Sequence, residues 1–193
     1  MRTPLTERQQ ARHARVLEAT TELARRGGYD AVQMRDVSAR AQVALGTLYR
    51  YFSSKDHLLV AVLGDRAEQL RDKLRARPPR GETAADRVVE ALGRATRSFE
   101  REPRLAAALV TALSSLSSED ARALADAQEI YGTVAEIITE AARDGSEIEN
   151  AGAVIRTISL LWLTTLLTWT RGWQPISQTY EDLEVAARLL IRT

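Results

Sequence analysis

Apolar residues along this chain recur every three or four positions, and no stretch alternates with period two for long. The pattern predicts an all-α protein of nine helices, in keeping with the dominance of Ala, Leu, Arg and Glu. Residues 9–26 read as a first helix with Val16, Ala19, Thr20 and Leu23 on one face, closed by Gly27-Gly28. Residues 29–32 are a short connection, 34–40 a second short helix, Gln42-Val43 a turn, and 44–51 a third helix. Ser53 or Ser54 caps a long fourth helix running to about residue 75. The run Arg77-Pro78-Pro79-Arg80-Gly81 is the sharpest break. Beyond it the periodicity predicts helices at 83–101, 103–114, 118–143, 148–171 and 180–191. Pro103 suits a first helical turn, and Gly145 and Gly172 mark helix ends.

Two short helices joined by a tight turn have the geometry of a helix-turn-helix DNA reader. Placed on a helical wheel, Leu45, Leu48 and Phe52 fall together as a buried face. Gly46, Thr47 and Arg50 lie opposite, with Tyr49 and Tyr51 flanking them within reach of phosphates. Gly46 costs the helix up to about 1 kcal/mol relative to Ala, a loss that makes sense where the backbone must approach another molecule. Lys55 falls in the first turn of the fourth helix, where the macrodipole disfavours a cation. A phosphate there would be met by the ammonium and the free amides together; a solvated lysine is the alternative.

The helix at 148–171 carries two apolar stripes. Ile155, Ile158, Trp162, Leu166 and Trp169 form one, and Leu160, Leu163 and Leu167 the other. One assignment turns the aromatic stripe to the interior and the leucine stripe to a second subunit. Leu183, Ala187 and Leu190 of the last helix would then complete a four-helix dimer interface. The opposite assignment, and plain core packing, stay open. Candidate walls of a ligand cavity are Leu63, Leu92 and Phe99, then Leu109, Leu113, Tyr131 and Val134, and on the apolar helix Trp162, Thr165 and Trp169. Ordinary core packing is the commoner role for each of these. No Asp or Glu stands between Glu149 and Glu181, whereas Arg156 and Arg171 do. Sites for lipophilic cations use carboxylates or aromatic cages, so a neutral or anionic lipophile is expected.

Charge changes the picture more than composition does. The 193 residues carry a net charge of only +1, a total that by itself argues against a nucleic-acid partner. Residues 1–57, however, hold ten Lys/Arg against six Asp/Glu, and residues 58–193 hold seventeen against twenty. This suggests an anion-binding head on a mildly acidic body, a solvated helix surface being the alternative. Together with the helix-turn-helix and the apolar stripes above, it places a DNA-binding domain at 1–57 and a ligand-binding, dimerisation domain at 58–193. Of the basic residues only Lys55 and Lys73 are lysines, and arginine favours planar and phosphate partners. With no cysteine, disulfides, thiolate catalysis and Cys-based zinc sites are excluded. The most apolar run, 158–169, is shorter than the roughly 20 residues of a membrane span, and residues 3–15 are too polar for a signal peptide. A cytoplasmic protein is expected. His13 and His57 are the only histidines, with His57 expected as a surface or capping group in the first turn of its helix. No Ser-His-Asp order, glycine-rich phosphate loop or metal-ligand spacing is present, so neither an enzyme nor a cofactor is expected.

The segment Gly28-Tyr29 through Val32-Gln33-Met34-Arg35-Asp36-Val37-Ser38 to Gly46-Thr47-Leu48-Tyr49-Arg50-Tyr51-Phe52-Ser53-Ser54-Lys55 resembles the DNA-binding segment of the TetR family of bacterial repressors. The match spans about residues 10–62, and its core, Thr47-Leu48-Tyr49 with Phe52 and Lys55, is diagnostic at this distance from the first residue. The resemblance implies a homodimer that binds a palindromic double-stranded DNA operator and is released by a small ligand. It implies phosphate contacts for Thr47, Tyr49, Tyr51 and Lys55, and base-edge contacts for Arg35 and Arg50, beside Gly46 in the third helix and Gln33 and Met34 at the start of the second. Gln33 departs from the Thr or Ser common at its position. The segments 27–35, 43–52 and 57–60, with the tail at 162–169 and 186–191, are further similar to the TetR-type repressors of cholesterol catabolism in actinobacteria. That likeness implies a steroid side-chain acid, or its coenzyme A thioester, as effector. Residues 72–150 match poorly, which leaves a drug-like efflux substrate or a fatty acyl-CoA as alternatives. A helical lipid-binding protein is the reading from another class.

Overall fold

The computed structural model describes residues 6–143 and 150–191. Among them are nine α-helices, one short 3₁₀ turn at Tyr29–Ala31 and no strand. The helices are α1 (Glu7–Gly27), α2 (Met34–Ala41), α3 (Leu45–Tyr51), α4 (Lys55–Ala76), α5 (Ala84–Glu100), α6 (Pro103–Ser114), α7 (Ala121–Ala142), α8 (Ala151–Thr170) and α9 (Ile176–Leu190). The expected helix start at 148 and the end marked by Gly145 lie outside the described residues.

Caps explain most of the boundaries. Thr6 and Gln9 form a capping box on α1, and Thr83 and Asp86 form one on α5. The Ser54 hydroxyl accepts from the His57 amide and starts α4, and the Asp120 carboxylate accepts from the Ala123 amide and starts α7. The α7 cap delays that helix from the expected 118 to Ala121. Helix α9 begins at Ile176, ahead of the expected 180, because Pro175 fixes an extended residue before it.

Helices α1–α3 form a head. Val16, Ala19 and Thr20 of α1, Val37 and Ala41 of α2, and Leu48 of α3 are buried together. Helix α4 carries the chain from this head into the body, packing on α1, α6 and α7. The division at 57/58 therefore falls inside a continuous helix. In the body, α5 packs on α7 and α9, and α8 on α6, α7 and α9. Helix α8 is long and apolar enough to cross a membrane by length and composition. Here its Val154, Ile158, Trp162 and Leu166 are buried against other helices, each such side chain contributing about 1.5–3 kcal/mol. The aromatic stripe is thus the inward one.

Candidate nucleic-acid interface and effector cavity

The turn between α2 and α3 is built by local chemistry. Gln42 takes φ 53, in the left-handed region, and its N–H returns to Ala39 O. The Val43 amide donates to Ser38 O, and the Ser38 hydroxyl donates to Val43 O over 2.7 Å, closing the turn from both sides. Leu48 is fully buried on α3, Phe52 is buried just past its end, and Leu45 is half-buried at the rim. Gly46 and Arg50 are exposed on the outer face, Thr47 is half-exposed, and Tyr49 is 49% exposed. A methyl group on Gly46 would meet nothing within 4 Å. Packing inside the subunit therefore does not account for the glycine.

Around this face, Tyr51 is half-buried and the Arg50 guanidinium lies 5.4 Å from its ring centre. Arg35 is exposed at the start of α2. Gln33 precedes that helix without capping it and instead donates from Nε2 to Asp30 O over 3.0 Å. Met34 is half-buried and packs on the head core, so its side chain points away from the outer face. Lys55 Nζ sits 3.8 Å above the Tyr29 ring, a cation–π perch that offsets its unfavourable place at a helix start. The Tyr29 hydroxyl donates to Asp56, and burial together with that bond pushes its pKa up to about 12.

The junction behind α3 is clasped by α7. Arg122 Nη1 donates to the Arg50 carbonyl over 2.9 Å, and the Ser53 hydroxyl donates to Asp120. His57, expected as a surface or capping group, is only 1% exposed. The Ser53 amide donates to its Nδ1 over 3.1 Å, so Nδ1 is the acceptor and Nε2 carries the proton it shares with Asp126 over 3.0 Å. Burial raises the Asp120 pKa, but the Ser53 hydroxyl and the Ala123 amide outweigh it and hold the carboxyl below the ordinary range. The sequence hid this clasp because its two halves stand about seventy residues apart.

A cavity of about 510 Å³ lies among α4, α5, α6, α7 and α8. Of the candidate walls, Leu63, Leu92, Phe99, Leu113, Tyr131, Val134 and Trp162 line it. Leu109 is instead fully buried in the core of α6. Thr165 turns to the Trp162 carbonyl, and Trp169 packs on the core further along α8. Local periodicity marks all ten as apolar-face positions but does not say which neighbours leave a gap. The polar groups at the α5–α8 end are internally satisfied. Trp162 Nε1 donates to Thr96 Oγ1 over 3.0 Å, Thr96 to Leu92 O, and Ser159 to Ile155 O. The rest of the wall includes Arg25, Arg66, Lys73, Arg94 and Arg101, with Glu102 as its one carboxylate among the described residues.

The outward faces of α8 and α9 differ from the expected pairing. Leu160 is 50% exposed, but Leu163 is half-buried on the cavity wall and Leu167 half-buried against the core. Leu183 and Ala187, expected to meet a second subunit, are each 1% exposed and buried within this one. Leu190 packs on the same core. The physical reason is that α5 and α8 cover that side of α9, which leaves Val185 and Leu189 outside.

Comparison with known proteins agrees with this geometry. Residues 16–62 match the family model "Bacterial regulatory proteins, tetR family", and residues 81–190 match "Tetracyclin repressor-like, C-terminal domain". The chain is 37% identical over 188 residues to the HTH-type transcriptional repressor KstR of Mycolicibacterium smegmatis, covering 97% of this chain and 91% of that one. It is 36% identical over 186 residues to KstR of Mycobacterium tuberculosis, covering 96% and 83%. A crystal structure of a TetR transcriptional regulator from Rhodococcus sp. RHA1 superposes with TM-score 0.85 at 34% identity, covering 95% and 97%. Thermus thermophilus FadR, solved in complex with lauroyl-CoA, shares the fold at TM-score 0.71 and 22% identity, covering 92% of each chain.

Proposed function

The chain belongs to the TetR family and is a transcriptional repressor, not an enzyme; from this premise we propose that it works in the cytoplasm as a homodimer on a palindromic operator. An anionic lipophile in the α4–α8 cavity releases it. The observation that carries the reading is the outer face of α3. Gly46, Thr47, Tyr49 and Arg50 are presented to solvent by a buried Leu48–Phe52 face, the arrangement of a recognition helix in a major groove. Arg50 and Arg35 read base edges, and Thr47, Tyr49, Tyr51 and Lys55 hold phosphates. Gln33 serves as a polar neighbour at the α2 start.

The effector reading rests on the cavity. Its apolar wall with several cations and one carboxylate favours a steroid side-chain acid or its coenzyme A thioester over a lipophilic efflux cation. The likeness to actinobacterial repressors of cholesterol catabolism points the same way. A fatty acyl-CoA carries the same chemistry and is the second reading, one that FadR's lauroyl-CoA complex illustrates on this fold. Helix α7 connects the two functions, since Ile130, Tyr131, Val134 and Ile137 line the cavity while Arg122, Asp120 and Asp126 grip the α3–α4 junction. A ligand that shifts α7 changes the aim of α3.

The test is selection of duplexes from a random pool by the purified protein. A palindrome is expected to be enriched. Arg50→Ala should then lose about 1–3 kcal/mol on that duplex and relax specificity. Lys55→Ala should weaken binding to all duplexes and lower the salt slope by about 1. Enrichment of no sequence, or unchanged specificity in Arg50→Ala, contradicts the reading.

A further inference from the structure

The cations of the cavity wall are not evenly used. Glu102 is held twice: the Arg25 guanidinium, on α1, lies 2.6 Å from one carboxylate oxygen, and the Arg66 guanidinium, on α4, binds the other. Glu102 occupies the N-cap of α6, yet its side chain makes no capping bond. A polar side chain at that position ordinarily accepts from helix amides; this one serves two arginines instead. Three helices thus converge on one carboxylate at the edge of an apolar cavity. Two guanidiniums aimed at one anion are a strong, charge-assisted cradle, and here the protein's own side chain fills it.

We propose that the Arg25–Arg66 cradle is the subsite for the effector's carboxylate or phosphate, and that Glu102 is an internal stand-in which the effector displaces. The inference rests on the reading of the cavity as the effector site. Orientation follows from the polar groups. At the α5–α8 end Trp162, Thr96 and Ser159 are already bonded within the protein, so an anion placed there would be buried without a partner. The apolar body of the ligand therefore lies along Trp162, and its anion lies at the cradle. Exchange also has a consequence for the head. The Arg25–Glu102 pair ties α1, a head helix, to α6. When a ligand anion replaces Glu102, Arg25 is handed from the α6 N-cap to the ligand. Effector binding thus rewires the link between α1 and the body, while the Arg104 guanidinium still donates to Arg26 O.

The experiment uses cholanic acid and its methyl ester as a matched pair of probes, with affinities measured by calorimetry on the full-length protein. Glu102→Gln removes the internal competitor and keeps the side-chain shape. It is expected to bind the acid about tenfold more tightly and the ester within about twofold of the unmodified protein. Arg66→Gln leaves the Arg25–Glu102 pair in place and should cost the acid about tenfold and the ester little. It also serves as the test if the first variant does not fold by circular dichroism. Acid and ester changing together in both variants, or weaker acid binding by Glu102→Gln, overturns the subsite while leaving the cavity as the effector site. Failure of the unmodified protein to bind the acid, the ester or the corresponding coenzyme A thioester removes both readings.

Discussion

Gly46 shows how a single residue separates a packing role from a contact role. Nothing in the subunit would oppose a methyl group there. Gly46→Ala should therefore raise thermal stability, by up to about 1 kcal/mol of helix propensity, while weakening operator binding, because the new Cβ meets DNA. Melting and anisotropy on the same variant check this, and a variant with both properties improved speaks against an α3–DNA contact. Tyr29 gives a pH signature for the same corner. Its phenol is raised to about 12, first by burial and then by Asp56, so the folded state holds its proton more tightly than the unfolded chain. That contribution to stability is fully present below pH 10 and is lost as pH climbs from 10 towards 12. Tyrosinate absorbance should lose its highest step in Tyr29→Phe, and stability should decline less over that window. Residue-scale chemistry was partly legible beforehand. The wheel placed Leu48 and Arg50 on opposite faces because both lie within two helical turns. His57 does accept a backbone amide at the helix start, as a capping group would, but it is buried, because Asp126, about seventy residues on, is brought over a first-turn position that looks exposed in the sequence.

At the scale of elements, helix existence was legible throughout and helix neighbours were not. Capping boxes and the Pro78-Pro79 break are written in adjacent residues, whereas the face that α9 turns inward depends on where α5 and α8 settle. Leu183 and Ala187 consequently lie inside the subunit, and Leu160 on α8 with Val185 and Leu189 on α9 remain outside. We expect these exposed faces to form the dimer contact. Leu160→Asp combined with Val185→Asp should give a monomer by sedimentation with helicity retained. Leu183→Asp should instead unfold the subunit, since it buries an unpaired charge. A double variant that stays dimeric places the interface elsewhere. The cavity shows the same limit. Leu63 and Tyr131 could be ranked as apolar-face positions from periodicity, but Leu109 carries the same pattern and is core. The Arg25–Glu102–Arg66 cluster unites α1, α6 and α4 and has no local signature at all.

For the whole molecule, the near-neutral net charge of +1 hides a basic head on a body several of whose acidic groups pair with its own arginines, as in Arg75–Glu140 and Arg71–Glu136. A dimer presents two such heads, and their spacing sets the separation of operator half-sites. The central claim is that occupancy of the cavity by an anionic lipophile is read out as loss of DNA. The most direct measurement is fluorescence anisotropy of the selected palindromic duplex bound to the dimer, titrated with a steroid-acid coenzyme A thioester and, separately, with a lipophilic cation of similar size. The thioester is expected to release the duplex and the duplex, reciprocally, to weaken thioester binding by the same factor, with the cation inert. Release by the cation alone, or a complex unmoved by saturating thioester, would contradict that claim.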